Sequence, residues 1–96
     1  MLVNAVTYTF PEARADEVER LLRELGDASR REAGCAGFDV CRGDGDSRGS
    51  FVLFEKWRDQ AALDAHYDTE HFQRLGAAGI RPLAMNRQAV KGTLIE

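Results

Sequence analysis

Residues 50–57 (SFVLFEKW) most restrict what this chain can fold into. In an extended strand Phe51, Leu53, Glu55 and Trp57 share one face, and Val52, Phe54 and Lys56 share the other. Large apolar groups stand on both faces, so neither side of such a strand can be left wholly to water. A chain of 96 residues makes one domain, 1–96, with a thin core. One layer of helices is all it has to cover a sheet.

The neighbouring segments supply that layer and the rest of the sheet. Residues 2–10 (LVNAVTYTF) are rich in Val, Thr, Tyr and Phe and stop at Pro11, as a strand does. From about Ala13 to Ala33 the period changes: Val18, Leu21, Leu22, Leu25, Ala28 and Ser29 fall on one helical stripe. Asp16 and Glu19 have the spacing of a capping box. Asp16–Arg20, Glu19–Arg23 and Asp27–Arg31 have that of i,i+4 ion pairs, and Gly34 reads as the C-terminal stop. A short strand at 36–42 (AGFDVCR) and a Gly- and Asp-rich turn at 43–49 lead into 50–57. Asp59 and Thr69 are placed to cap two short helices, one through Tyr67 and one to about Gly79. Pro82 ends the second helix, and 83–95 reads as a final strand.

Strand, helix, two strands, helix, strand is the order of a ferredoxin-like α+β fold, an antiparallel sheet with helices on one face. The uncovered face would then expose Val52 and Phe54, an apolar patch that monomers seldom tolerate. A second copy packed sheet against sheet would cover it, so the strand pattern predicts a homodimer.

Composition removes several function classes. Thirteen Lys and Arg against sixteen Asp and Glu give a net charge of −3, which disfavours nucleic acid or an anionic membrane surface as partner. No run approaches the roughly 18 apolar residues of a membrane span, and the first residues lack a signal peptide's pattern, so a cytoplasmic location is expected. Cys35 and Cys41, on one extended strand, would lie about 20 Å apart, too far for a disulfide. No zinc-type cysteine or histidine spacing, dinucleotide fingerprint or phosphate loop is present; no metal and no cofactor are expected.

Chemistry is concentrated at 55–72, which holds the sole Trp, both histidines and a strand-borne Glu. Glu55, set between Leu53 and Trp57, must find a partner or hold a raised pKa. His66 and His71 are general acid–base candidates, and Trp57, Tyr67 and Phe72 could line a slot for a flat ring. On one continuous helix the two histidines would diverge by about 140°; a break at Asp68-Thr69 would let both face one cavity. Each feature also has a purely structural reading: a core Trp, and histidines favoured at helix ends.

Four segments in register carry a resemblance: Glu32-Ala33-Gly34-Cys35-Ala36-Gly37-Phe38, Phe54-Glu55-Lys56-Trp57-Arg58-Asp59, Ala62-Leu63-Asp64-Ala65-His66 and Thr69-Glu70-His71-Phe72. Their order and spacing resemble the antibiotic biosynthesis monooxygenase domain, over nearly the whole chain. The resemblance implies a dimeric α+β barrel and the oxidation of phenols or quinols by molecular oxygen without flavin, metal or nicotinamide. It implies His66 and His71 as base and hydrogen-bond partner, and Trp57, Tyr67 and Phe72 as pocket walls for a small aromatic or quinol-like ligand. Asn4 would orient oxygen or substrate, and Glu55 would position a histidine or close the pocket floor. The same segments are similar to those of an isomerase acting on a phosphorylated autoinducer-2-type metabolite, although Glu70 stands where such relatives often have Pro. Haem-degrading relatives and a non-catalytic ligand-binding barrel are the remaining readings.

Overall fold

A computed structural model describes residues 1–96 and shows a four-stranded antiparallel sheet with helices on one face. The strands are β1 (Leu2–Thr9), β2 (Cys35–Arg42), β3 (Ser50–Trp57) and β4 (Asn86–Thr93), arranged β2-β3-β1-β4. Helix α1 (Ala15–Ser29) joins β1 to β2, and α2 (Gln60–Tyr67) follows β3. A π-helix, Phe72–Ile80, and a 3-10 turn at Arg81–Leu83 lead into β4. This is the ferredoxin-like α+β fold that the strand and helix order predicts.

Burial follows side-chain alternation. On β3, Phe51, Leu53, Glu55 and Trp57 are buried beneath the helices, while Val52 and Phe54 are exposed on the opposite face. The α1 stripe packs onto the same side: Val18, Leu22, Leu25 and Ser29 are buried, with Leu21 and Ala28 half-buried. Register then decides which inner residues meet. Asn4 stands opposite Glu55, Val6 opposite Leu53 and Tyr8 opposite Phe51. On the bare face Val90, Ala5 and Phe54 form one row across three strands. The eight residues of β4 are all exposed, although Lys91 reaches Gln60 of α2 at 2.8 Å.

Several local expectations are corrected. α1 ends at Ser29 rather than near Ala33, because the chain folds into successive turns, with Glu32 N–H donating to Ser29 O (3.0 Å) and Cys35 N–H to Glu32 O (3.0 Å). The capping box does not form: a 3-10 turn at Glu12–Arg14 starts the helix, and the Asp16 carboxylate instead accepts from Arg42 of β2 at 2.9 Å. Of the three i,i+4 pairs only Glu19–Arg23 is made; Asp27 takes Arg30, one residue nearer. The later caps do form. Asp59 accepts from Ala62 N–H at 2.9 Å, and Thr69 Oγ1 accepts from Phe72 N–H at 3.1 Å. The last strand is shorter than 83–95, since Arg81–Leu83 closes as a 3-10 turn containing Pro82. Both cysteines are free, and no helix is long and apolar enough to cross a membrane.

Gly34 is not the helix stop, and its backbone lies outside the left-handed region. It is a point of close approach: a Cβ there would come within 2.3 Å of the Ala62 Cβ on α2. Gly34→Ala should therefore push α2 off the sheet and lower stability by about 1–3 kcal/mol. In a denaturant-unfolding cycle with Ala62→Gly, the double variant should lose less than the sum of the single losses. Strict additivity would mean that this contact is unimportant.

Candidate functional site

The helix-covered side of the sheet holds a group of polar side chains that burial would ordinarily exclude. β1 presents Asn4, β3 presents Glu55 and α2 presents His66; all three are buried. Because Asn4 and Glu55 are cross-strand neighbours, the Asn4 amide donates to Glu55 Oε1 at 3.3 Å. Trp57, two residues along the same face, donates its Nε1–H to the same oxygen at 3.1 Å. Glu55 Oε2 makes no comparable bond. Burial pushes the Glu55 carboxyl above its ordinary 4.5, and the Trp57 hydrogen bond, the nearby His66 and the Asn4 hydrogen bond oppose this only in part. A neutral carboxyl can donate a proton, which an ionised one cannot.

The second carboxyl of the site is Glu32, in the turns after α1. Its Oε2 lies 2.7 Å from His66 Nδ1 and 2.7 Å from His71 Nε2. A carboxylate oxygen only accepts, so both ring nitrogens donate. The proton of neutral His66 is thereby placed on Nδ1, and Nε2 keeps its lone pair free of any protein partner. The His66 ring is packed against Trp57, 4.6 Å between centroids, and Phe72, 5.2 Å. Such packing fixes the ring plane as well as the tautomer.

Asn4, Glu55, His66, Tyr67 and Phe72 line one cavity. Two sequence candidates lie outside it. Trp57 is fully buried one layer behind, bonded to Glu55 and packed on His66. His71 follows the expected break between α2 and the π-helix, but it reaches Glu32 from the far side and does not line the cavity. Sequence reasoning missed the role of Glu32, whose only signal was its place at the head of the Glu-Ala-Gly-Cys segment. It also missed Tyr8, Arg81 and Arg87, which complete the cavity wall and carry no local motif.

The cavity measures about 20 Å³, room for roughly one water. An aromatic ring, several times larger, enters only if part of the cavity wall moves. The donor atoms of Glu32, His66 and His71 lie within 4.8 Å of one another, the composition of a two-histidine, one-carboxylate metal set. Their 2.7 Å separations are those of hydrogen bonds, shorter than the roughly 3.4 Å between neighbouring ligands on tetrahedral zinc. The three groups are joined by hydrogen bonds through one oxygen.

Sequence and structure comparisons agree with this architecture. The profile of the family described as "Antibiotic biosynthesis monooxygenase" matches residues 1–78. The Bacillus subtilis (strain 168) protein named "Putative monooxygenase YcnE" is 33% identical over 94 residues, covering 95% of this chain and 98% of that protein. A crystal structure described as an antibiotic biosynthesis monooxygenase is similar with a TM-score of 0.89 and 33% identity, each chain covered to 100%. PA3566 from Pseudomonas aeruginosa is similar with a TM-score of 0.85 and 36% identity, over 99% of this chain and 94% of that one.

The raised pKa of Glu55 has a consequence for stability. Stability linked to this group is complete below the unfolded value near 4.5 and is lost as pH rises through the higher folded value. Glu55→Gln keeps an acceptor for Asn4 and Trp57 but does not titrate. Denaturant midpoints should therefore shift in favour of the variant, relative to wild type, between acid and neutral pH. A difference independent of pH would show that Glu55 titrates normally.

Proposed function

Because the chain belongs to the antibiotic biosynthesis monooxygenase family, we propose that it oxidises a small aromatic or quinol-like substrate with molecular oxygen at the cavity between Glu55 and His66, without a bound cofactor. One observation carries the reading: the free Nε2 of His66, backed by Glu32, beside a buried carboxyl in an aromatic-walled cavity. That is the arrangement of a general base with its orienting group.

His66 Nε2 takes the phenolic proton, and Glu32 stabilises the imidazolium through Nδ1–H. The resulting phenolate is electron-rich enough to reduce oxygen directly. One oxygen atom bonds to the ring and the other leaves as water, so a phenol becomes a quinone and the substrate supplies every electron. Protonated Glu55 donates to the departing oxygen, and Asn4 holds its carboxyl in place through their hydrogen bond. Tyr67 and Phe72 keep the anion dry, which strengthens each electrostatic contact. His71 acts at a distance by fixing Glu32. The Trp57 ring supports His66 from behind.

The working unit is a homodimer. Val52, Phe54 and Val90 are 41%, 38% and 72% exposed on the face away from the helices, and a second copy would bury them.

Oxygen uptake with a panel of hydroquinones and phenols should exceed the buffer rate. His66→Ala should lower it by about 10²–10⁴-fold, the usual worth of a general base. His71→Ala should lower it by roughly tenfold, as loss of an orienting group does. No uptake from any of these substrates would end the oxidase reading, and turnover of a phosphorylated hydroxy-ketone instead would establish the isomerase alternative. Light scattering should give twice the chain mass of 10.7 kDa, and Phe54→Lys should shift it toward the monomer. A wild-type mass of one chain would remove the dimer.

A further inference from the structure

The cavity wall includes two arginines that the oxidation chemistry leaves unused. Arg81 follows the π-helix and Arg87 lies on the inner face of β4, and both line the cavity with Glu55 and His66. Arg14, Arg42 and Arg74 each meet a carboxylate within 3.3 Å, whereas Arg81 and Arg87 make no ion pair. Each is laid instead on an aromatic side chain of the wall. The Arg81 guanidinium sits 5.1 Å from the Phe72 ring centroid and that of Arg87 sits 5.7 Å from Tyr8. Arg87 Nε also donates to the Tyr8 hydroxyl at 3.2 Å.

Stacking fixes the planes of these guanidiniums while leaving most of their N–H donors unused. Donors held in advance cost less ordering when a ligand arrives. We infer that Arg81 and Arg87 form the anion-binding end of the cavity and select an aromatic substrate bearing a carboxylate, whose two oxygens match a guanidinium fork. This rests on the oxidase reading only for the identity of the ring; the selection of the anion rests on the arginines. A carboxylate suits the site better than a phosphate, since no glycine loop or run of backbone amides joins the two side chains. The opposite end of the cavity, at His66 and Glu55, would then receive the hydroxyl. One ring would thus be held by its acid group while its phenol faces the base.

4-Hydroxybenzoate, whose acid and hydroxyl stand at opposite ends of the ring, and its neutral methyl ester differ in charge, so their titration calorimetry with the full chain reads the selection directly. 4-Hydroxybenzoate should bind at least about tenfold more tightly than the ester, the worth of one or two charge-assisted hydrogen bonds. Arg81→Gln and Arg87→Gln should each remove most of that preference and leave the ester unchanged, while Arg87→Lys should keep part of it. Circular dichroism on each variant separates a lost site from a lost fold; both side chains are exposed, so the fold should persist. Equal binding of acid and ester, a preference untouched by both Gln variants, or no binding of either compound would overturn the inference. So would arginine-dependent binding of a phosphorylated hydroxy-ketone in place of 4-hydroxybenzoate. Arginine-dependent preference without oxygen uptake would remove the oxidase reading and leave this site standing. Oxygen uptake at equal rates on hydroxybenzoates and their esters would do the reverse.

Discussion

One carboxylate oxygen, Glu32 Oε2, joins three separate parts of the chain. It accepts from His66 at the end of α2 and from His71 just before the π-helix, across 34 and 39 residues of sequence. The tautomer of His66 and the direction of its free nitrogen follow from this shared acceptor, while Thr69 makes the break between those helices. Glu32 is mostly covered, with 14% of its side chain exposed. Its effect is to select one arrangement of two rings that could otherwise rotate. The turns after α1 place it there, which gives a structural reason for the helix to stop at Ser29.

Around that clamp the sheet supplies a second carboxyl of opposite character. Glu55 is buried, bonded through one oxygen by Asn4 and Trp57, and pushed toward its neutral form. The two carboxyl groups of the site thus sit in different environments. One accepts from two histidines, and the other is pushed by burial toward its neutral form. With Arg81 and Arg87 at the remaining edge, the cavity has a basic, an acidic and a cationic side within one layer of packing.

Strand alternation and helical stripe were legible because they depend on period alone. Phe51, Leu53, Glu55 and Trp57 share the buried face of β3, and the stripe from Val18 to Ser29 packs above them. Caps at Asp59 and Thr69 were equally legible, because a cap is a local hydrogen bond. The capping box and the Asp16–Arg20 pair failed where a distant partner competed, because Arg42 of β2 took Asp16, a contact invisible at three- or four-residue spacing; Asp27 simply took Arg30, one residue nearer than Arg31. Gly34 looked like a helix stop and proved to be the place where α2 leans on the backbone.

The sequence by itself determined the order of elements, the two faces of β3 and the crowding of His, Trp and Glu into residues 55–72, since local period and composition suffice for these. Tertiary structure alone decided that Asn4 meets Glu55 through strand register, and that Glu32 captures both histidines. It also decided that His71 lies outside the cavity while Arg81 and Arg87 line it. Those contacts join residues far apart along the chain. Their distances are set by how helices sit on a twisted sheet, which no spacing in the sequence records.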